Sequence, residues 1–218
     1  MEKKNMYSDW ERCKTETFWR EIAPFDHVLQ IYDNDTVFMD ALAGYVGGGI
    51  NAGDCCIVIA TKKHLEALEH RLRTYGVYVH TLISDNRYVP LDAEEILDKF
   101  MINGWPDEEL FMNTIGELIH KAKSNQRNVR AFGEMVALLW EKGYSNATMH
   151  LEHLWNKFCG MEAITLFCAY PKRSFTENDT SVNHICCAHS KMIDGTENQL
   201  TEVVYRSIYQ QDVLAQTA

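Results

Sequence analysis

The stretch CCIVIAT, residues 55–61, decides the fold class of this chain. It is apolar, rich in β-branched residues and free of charge, which predicts a strand that is buried on both faces. Strands of this kind belong to parallel sheets with helices on both sides. Apolar runs at 27–33, 77–83, 129–134 and 164–170 predict four further strands. Because helical patterns separate these runs, the sequence predicts an α/β fold: a mostly parallel sheet covered by helices on both faces.

The helical patterns have recognisable ends. Asp35 is a capping residue for the helix after the first strand, and Gly53 is its expected stop. Asp92 and Glu95 form a variant of the capping box, opening a helix that ends near Gly104. Further helices are expected over 8–21, 65–75, 106–122, 138–140, 151–158 and 182–193. We expect an N-terminal helical extension (1–22), an α/β domain (23–193) and a polar C-terminal tail with weak helical periodicity (194–218).

Composition narrows the function classes. The net charge of the 218 residues is −10, and Lys and Arg do not cluster, so no nucleic-acid-binding face is expected. No apolar run reaches the roughly 20 residues of a membrane helix, and no secretory signal opens the chain. Cys55, Cys56 and Cys168 lie in apolar runs, which is typical of buried, reduced thiols. We therefore expect a cytoplasmic protein with no membrane association.

The glycine-rich run GYVGGGINAGD, residues 44–54, invites comparison with a phosphate-binding loop. Gly44 and Gly49 have a similar separation to the glycines of such a loop, but Ile50 and Asn51 stand where Lys and Ser or Thr are needed. The run also precedes a strand instead of following one. The loop after the first strand, 32–35, carries two carboxylates and no glycine. We interpret the glycines as allowing close helix–sheet packing.

Several stretches resemble the MEDS family, the sensory domain of methanogen and methylotroph signalling proteins. FGEMVALLW and LFCAYP are the most specific of them. The similarity covers residues 18–193 and is carried by FWREIAPFDHVLQIYDND (18–35), GINAGDCCIVIATKKHLEALEHRL (49–72), YVPLDAEEILDKFMINGWPDE (88–108), VRAFGEMVALLWEKG (129–143), LEHLWNKFC (151–159), LFCAYPKRSF (166–175) and HICCAHSKMI (184–193).

The resemblance implies a RecA/KaiC-like three-layer sandwich whose phosphate loop is lost. It also implies a sensory role, with small hydrocarbon derivatives as ligands. Members of the family are often fused to histidine kinases or DNA-binding domains, but neither motif is found in this sequence. We therefore expect the output to pass through a separate partner, such as a signalling kinase or regulator, or through a homo-oligomer.

Ligands of open parallel sheets bind beyond the carboxyl ends of the strands. Glu134 ends an apolar strand, where it is either a hydrogen-bond acceptor in a pocket, an ion-pair partner of Arg130 or another basic residue, or a carboxylate at a helix N-terminus. Aromatic residues and His189 either line a pocket or belong to the core. The candidate ligand-binding residues are Tyr32, Asp33, Thr61, Glu134, Trp140, Trp155, Tyr170 and His189.

Metal and nucleophile sites are not expected from the local patterns. HICCAH, residues 184–189, holds two i,i+3 pairs of ligand-type residues that point in different directions on a helix, and His150 with His153 is the best second pair. His27, at the start of a strand, is expected to make a structural hydrogen bond. No local pattern identifies a Cys–His nucleophile, so the chain is expected to be non-catalytic, with no cofactor and no metal.

The leading hypothesis is therefore a non-catalytic sensory module that binds a small, largely apolar ligand. One alternative is a protein-interaction or oligomerising scaffold with a RecA-like fold. A second alternative is a protein with residual nucleotide binding.

Overall fold

The computed structural model describes residues 10–13, 22–124, 126–175, 181–196 and 199–206. Its strands, in chain order, are β1 (Trp10–Cys13), β2 (His27–Tyr32), β3 (Cys55–Ala60), β4 (Tyr88–Asp92), β5 (Met101–Ile102), β6 (Trp105–Pro106), β7 (Val129–Gly133), β8 (Ile164–Pro171), β9 (Lys191–Thr196) and β10 (Gln199–Arg206). Eight of them form one sheet in the order β1-β10-β9-β2-β8-β7-β3-β4. The strands from β9 to β4 are parallel, while β9, β10 and β1 pair antiparallel.

Helices connect the parallel strands on both faces of the sheet. They are α1 (Asp35–Ala52), α2 (Lys62–Thr74), α3 (Val79–Ser84), α4 (Ala93–Leu97), α5 (Glu108–Lys123), α6 (Met135–Glu141), α7 (Ser145–Met161) and α8 (Ser181–Cys187). The apolar residues of α1, α2 and α3 pack on one face, and those of α4 to α8 pack on the other. The α/β fold predicted from the sequence, with its three layers, is confirmed.

Strand β3 shows why its sequence is apolar throughout. Cys56 and Val58 face the core beneath α1 and α2, whereas Ile57 and Ile59 face the core beneath α5. All six of its residues are buried. The strands predicted over 27–33, 55–61, 129–134 and 164–170 are all present, because burial on both faces leaves the clearest pattern in a sequence.

The strand predicted over 77–83 is wrong. Residues 79–84 form α3, in which Val79 and Leu82 face the core while Tyr78, just before it, is exposed. Short apolar runs suit either a strand or a helix, and here the i,i+3 spacing prevails. The third parallel strand is β4, which contains Pro90. Proline is tolerated there because, in the sheet that the described residues form, β4 is an edge strand bonded to β3 alone.

The two ends of the chain also differ from expectation. Residues 10–13, within the helix expected over 8–21, form β1, and the rest of that predicted helix lies outside the described residues. The helix expected over 182–193 ends at Cys187, and β9 follows at Lys191. In the tail, where helical periodicity was weak, 199–206 form β10. The domain boundaries at residues 23 and 193 stay a prediction.

The glycine-rich run forms the second half of α1. Gly53 ends the helix with φ +86°, a left-handed conformation that suits glycine, as predicted. Gly49 is a point of close approach: a Cβ there would lie 2.6 Å from Cys56 Sγ and 2.8 Å from Arg130 Cδ. Arg130 cannot withdraw easily, because its Nε donates to Asp54 Oδ2 at 2.7 Å and both side chains are buried.

Replacing Gly49 with Ala is expected to destabilise the protein by about 1–3 kcal/mol, because the new methyl group overpacks this contact. The matched control is Gly47→Ala in the same helix, where a Cβ meets nothing within 4 Å. That substitution should stabilise the fold by about 0.5–1 kcal/mol through helix propensity alone. Urea unfolding of both variants measures the difference. Equal effects of the two substitutions would contradict the packing role assigned to Gly49.

Candidate functional site

At the carboxyl edge of the sheet, where RecA-like folds hold phosphate, short connections close the ends of β2, β3 and β7. Only Asp33 and Asn34 lie between β2 and α1. Asn34 Oδ1 accepts a hydrogen bond from the Val37 N–H at 3.0 Å, so the side chain already caps the helix. A phosphate loop of the Walker type spans about eight residues and offers free backbone N–H groups. The connection after β2 has neither the length nor the donors.

Glu134 lies at this edge, between β7 and α6, and is buried. Its Oε2 accepts from the Thr61 N–H at 2.8 Å, and its Oε1 lies 2.7 Å from His64 Nδ1. Thr61 is the residue before α2, so this carboxylate sits at a helix N-terminus. Arg130 pairs with Asp54 instead. The structure therefore favours the helix-terminus alternative for Glu134, with a histidine as the basic partner.

The other candidate residues at the edge are also engaged. Tyr32 is buried, and its ring stacks on Phe38 with centroids 4.7 Å apart. Asp33 Oδ1 lies 2.9 Å from Lys172 Nζ. Lys63 Nζ bonds to Asp35 Oδ2 at 2.7 Å. Basic side chains thus compensate the acidic loop after β2.

A second cluster lies deeper, on the face of the sheet covered by α7. It consists of His27, Glu152, Cys168 and His189, all buried, and one ligand-type atom from each lies within 4.8 Å of the others. His27 Nε2 is 3.3 Å from Cys168 Sγ. Glu152 Oε2 lies 3.6 Å from His27 Nε2 and 3.7 Å from His189 Nε2. We call these four residues the His–Glu–Cys cluster.

Neighbouring groups hold the cluster in a defined orientation. His27 Nδ1 is 2.9 Å from Asn156 Oδ1, and His189 Nδ1 is 2.6 Å from the Ile185 carbonyl oxygen. The Tyr170 hydroxyl donates to Glu152 Oε1. Among the described residues, neither Glu152 Oε2 nor His189 Nε2 has a hydrogen-bond partner. Buried polar atoms are rarely left in this state without a reason.

Burial governs the charges of the cluster. It lowers the pKa of His27 to about 4 and that of His189 well below its ordinary value, so both imidazoles are neutral at pH 7. It raises the pKa of Glu152 to about 8, although the bond from Tyr170 opposes this shift. Burial also raises the pKa of the Cys168 thiol well above its ordinary value. The uncharged form of each group is therefore favoured in the isolated chain.

These shifts argue against a Cys–His nucleophile at Cys168 and His27, although the two side chains are in contact. An activated cysteine has a depressed pKa and an accessible sulfur, held beside a positive charge or a helix N-terminus. Cys168 is fully buried and its pKa moves in the opposite direction. The pair instead behaves as a thiol and an imidazole held together inside the core.

Two of the aromatic candidates, Tyr170 and Trp140, lie between the cluster and the partly exposed Phe175. The Tyr170 ring, which contacts Glu152, lies edge-on to Trp140 with centroids 6.5 Å apart. Trp140 contacts the partly exposed Phe175 at 5.2 Å. Trp155 is different: it packs edge-on to Phe111 at 5.0 Å and is a core residue. Tyr170, His189 and Trp140 are thus brought together, apart from the group at the carboxyl edge.

Glu152 is the residue that sequence reasoning missed. It occupies the buried face of α7, in line with Thr148, Trp155 and Cys159. A carboxylate in the apolar stripe of an amphipathic helix is costly unless it has a partner, and this was the available indication. His27 was expected to make only a structural bond, and its contacts with Glu152 and Cys168 were not foreseen.

The metal-type residues of HICCAH do not come together with His150 and His153. His184 and Cys187 are exposed, as is His153, and His150 stacks on Trp105. Of the segment, His189 alone enters the His–Glu–Cys cluster. It lies in a turn after α8, not on the extended helix that was expected.

A surface groove lies along the glycine-rich half of α1. Its volume is about 450 Å³, and it is lined in part by Gly44, Gly47 and Gly48 of α1 and by Leu72 and Tyr75 from the end of α2. Tyr75 is 69% exposed. These glycines therefore shape a surface, whereas close packing against the sheet is the role of Gly49.

Replacing Glu134 with Ala is expected to cost about 2–4 kcal/mol of stability, because the Thr61 N–H and His64 then lose a buried partner. The control is Glu95→Ala in α4, whose carboxylate is 71% exposed and lies 3.7 Å from Nζ of Lys62, the first residue of α2. That change should stay within about 0.5 kcal/mol of the wild type. Urea unfolding gives both values, and a small loss for Glu134→Ala would refute its bridging role.

The comparisons with known proteins agree with this geometry. In the described part of the chain, no helix combines the length and the apolar character of a membrane span. A solved structure with similar architecture is the KaiC-like protein PH0186 from the hyperthermophilic archaeon Pyrococcus horikoshii OT3, with a TM-score of 0.56 and 10% sequence identity. The alignment covers 86% of this chain and 81% of that one. At this identity the likeness establishes the fold, which is RecA-like.

Among curated proteins, none matches the chain. A family model does match, over residues 26–190, and its description is "MEthanogen/methylotroph, DcmR Sensory domain". This range includes every residue of the His–Glu–Cys cluster and of the closed carboxyl edge. The resemblance found in the sequence is confirmed: the chain belongs to the MEDS family of sensory domains.

Proposed function

We propose that this chain is a non-catalytic sensory module that binds a small, largely apolar molecule next to the His–Glu–Cys cluster and signals through a separate partner. The family supports the sensory part of this proposal. The observation that carries the rest is the continuous contact from the partly exposed Phe175, through Trp140 and Tyr170, to the buried Glu152. It combines an apolar wall with a few convergent polar groups, as small-molecule sites do.

The closed carboxyl edge supports a role without nucleotide hydrolysis. Catalysis of phosphoryl transfer needs a cradle of backbone N–H groups, a lysine and a bound Mg²⁺. In this chain Asn34 caps the helix after β2, and Glu134 occupies the start of the helix after β3. Asp33 and Asp35 flank the same edge and hold Lys172 and Lys63 in ion pairs, so these lysines are already engaged and are not free to bind a polyphosphate.

The contacts also indicate how a ligand would enter. The rings of Trp140, Tyr170 and Phe175 touch one another, so a ligand displaces a ring and does not simply fill a void. The Trp140 Nε1–H donates to the Ser174 carbonyl oxygen at 2.9 Å, which ties the ring to the segment after β8. Movement of Trp140 would therefore be transmitted to residues 172–175 at the surface. This is the coupling that a sensory module needs.

A thermal-shift screen of short-chain halogenated hydrocarbons, alcohols and thiols tests the proposal. A ligand at about 100 times its Kd should stabilise the fold by about 2.7 kcal/mol, which raises the Tm by roughly 5–10 °C. Replacing Trp140 with Phe should at least halve the shift, because Trp140 forms the outer wall. Trp105→Phe, at a ring that is 47% exposed and stacked on His150, should leave it unchanged.

Each result of the screen has a defined meaning. If no compound raises the Tm, or if both tryptophan variants respond alike, the proposed sensory site is wrong. ATP with Mg²⁺ belongs in the same screen and should give no shift. A rise with ATP that survives Trp140→Phe would revive the alternative of residual nucleotide binding.

The interaction scaffold is a second candidate, favoured by exposed aromatic side chains beside the groove on α1. Tyr75 and Tyr78 are 69% and 82% exposed, and Tyr75 lines the groove. If this face joins two copies of the chain, Tyr75→Ser with Tyr78→Ser should lower the mass seen by sedimentation from a dimer to a monomer. A monomeric wild type would exclude self-assembly through this face and leave the sensory proposal untouched.

A further inference from the structure

We infer that His27, Glu152, Cys168 and His189 form a binding site for one divalent transition-metal ion of the zinc class. The inference goes beyond the sensory proposal, because it concerns an ion held inside the domain. It rests on the distances between the four ligand-type atoms, on the orientation of the two histidines and on the balance of charge at the site.

The spacing of the four ligand-type atoms suits a tetrahedral ion. Ligands at about 2.0–2.3 Å from a zinc ion lie about 3.3–3.8 Å from one another. The His27 Nε2 to Cys168 Sγ distance is 3.3 Å. The distances from Glu152 Oε2 to the Nε2 atoms of His27 and His189 are 3.6 Å and 3.7 Å. The two distances to Glu152 Oε2 are too long for hydrogen bonds, and all three distances match edges of such a tetrahedron; the other separations in the cluster are at most 4.8 Å.

The outer contacts set both histidines in the form that binds a metal. The Ile185 carbonyl oxygen can only accept, so His189 carries its proton on Nδ1 and directs the Nε2 lone pair into the cluster. Asn156 Oδ1 has the same relation to His27. Metal-bound histidines characteristically donate their second N–H to a carbonyl or carboxylate oxygen. The Tyr170 hydroxyl holds Glu152 in the corresponding way.

Hydrogen bonds within the described chain do not satisfy the cluster. The Cys168 thiol can donate to His27 Nε2, but that leaves His189 Nε2 and Glu152 Oε2 without partners, and both are fully buried. Four electron-rich atoms facing one another in a dry core lack a positive centre. A divalent cation supplies it, and binding releases the protons of the carboxyl and thiol groups. The ion with one carboxylate and one thiolate then has no net charge, which suits a buried site.

The donor set points to zinc or a metal of similar preference. Two imidazoles, a thiolate and one carboxylate are borderline ligands, in contrast to the all-oxygen sets that Mg²⁺ and Ca²⁺ take. All four ligands come from separate elements: β2, α7, β8 and the turn after α8. The ion would therefore fasten that turn, and with it the start of β9, to the centre of the sheet.

Metal binding is tested on the full chain after removal of metal with a chelator, using Zn²⁺ and Co²⁺ as probes. A Cys187→Ser background removes an exposed thiol. We expect one equivalent of Zn²⁺ per chain and a higher Tm. Co²⁺ should give the intense visible bands of a tetrahedral ion, together with a thiolate-to-cobalt charge-transfer band in the near ultraviolet.

Cys168→Ala is expected to abolish the charge-transfer band and to weaken Zn²⁺ binding by more than the roughly 10–100-fold that loss of an outer hydrogen-bond partner costs. Glu152→Gln keeps the shape and the acceptor for Tyr170, and should also weaken binding. The matched control is Cys56→Ala, a buried cysteine on the opposite face of the sheet, which should retain the full cobalt spectrum. If Cys168→Ala binds as tightly as Cys56→Ala, or if Co²⁺ gives no thiolate band, the inference is wrong.

The hydrocarbon screen on metal-free and zinc-loaded protein separates this inference from the sensory proposal. If a hydrocarbon stabilises the protein but the protein binds no zinc, the metal site alone is refuted. A stoichiometric zinc site with no hydrocarbon response would refute the sensory site alone.

Discussion

Strand β8 is paired on both sides and covered on both faces, so that all eight of its residues are buried. Water does not reach its side chains, and each polar group directed at them needs a partner within the core. On the face beneath α7, the strand carries Cys168 and Tyr170. Helix α7, which packs on this face, contributes Glu152 and Asn156, and the neighbouring strand β2 contributes His27. The polar cluster is thus a consequence of placing these residues against a strand that is buried along its whole length.

The carboxyl edge follows a different rule, because there β2, β3 and β7 are followed by helices after at most two intervening residues. One residue separates β3 from α2 and one separates β7 from α6, namely Thr61 and Glu134. The Thr61 N–H donates directly to Glu134 Oε2 at 2.8 Å. The architecture is RecA-like, and side chains of the protein occupy this part of its carboxyl edge. Function has to be argued from another place in the molecule.

The sequence was sufficient for the central strands, since β3, β7 and β8 are buried on both faces and leave uninterrupted apolar runs. It was insufficient for β4, which carries Pro90 and Asp92, because an edge position is a property of the assembled sheet. For the site, the strand ends placed Thr61 and Glu134 at one edge of the sheet, where the structure bonds them to each other, whereas no pattern in the sequence placed His189 near Tyr170. Glu152 could not be placed, because α7 lies far along the chain from His27 and only folding brings them together.

The two-residue connection between β2 and α1 limits what substitution could do at this edge. Substitution alone would not build a phosphate loop there, because the backbone is too short to wrap an anion, so such a loop would require an insertion at Asn34. Under the proposal of a role without hydrolysis, the domain has no chemical energy source to drive a cycle. Under the sensory proposal its response is set by mass action, and it reports the concentration of a ligand reversibly, without consuming anything.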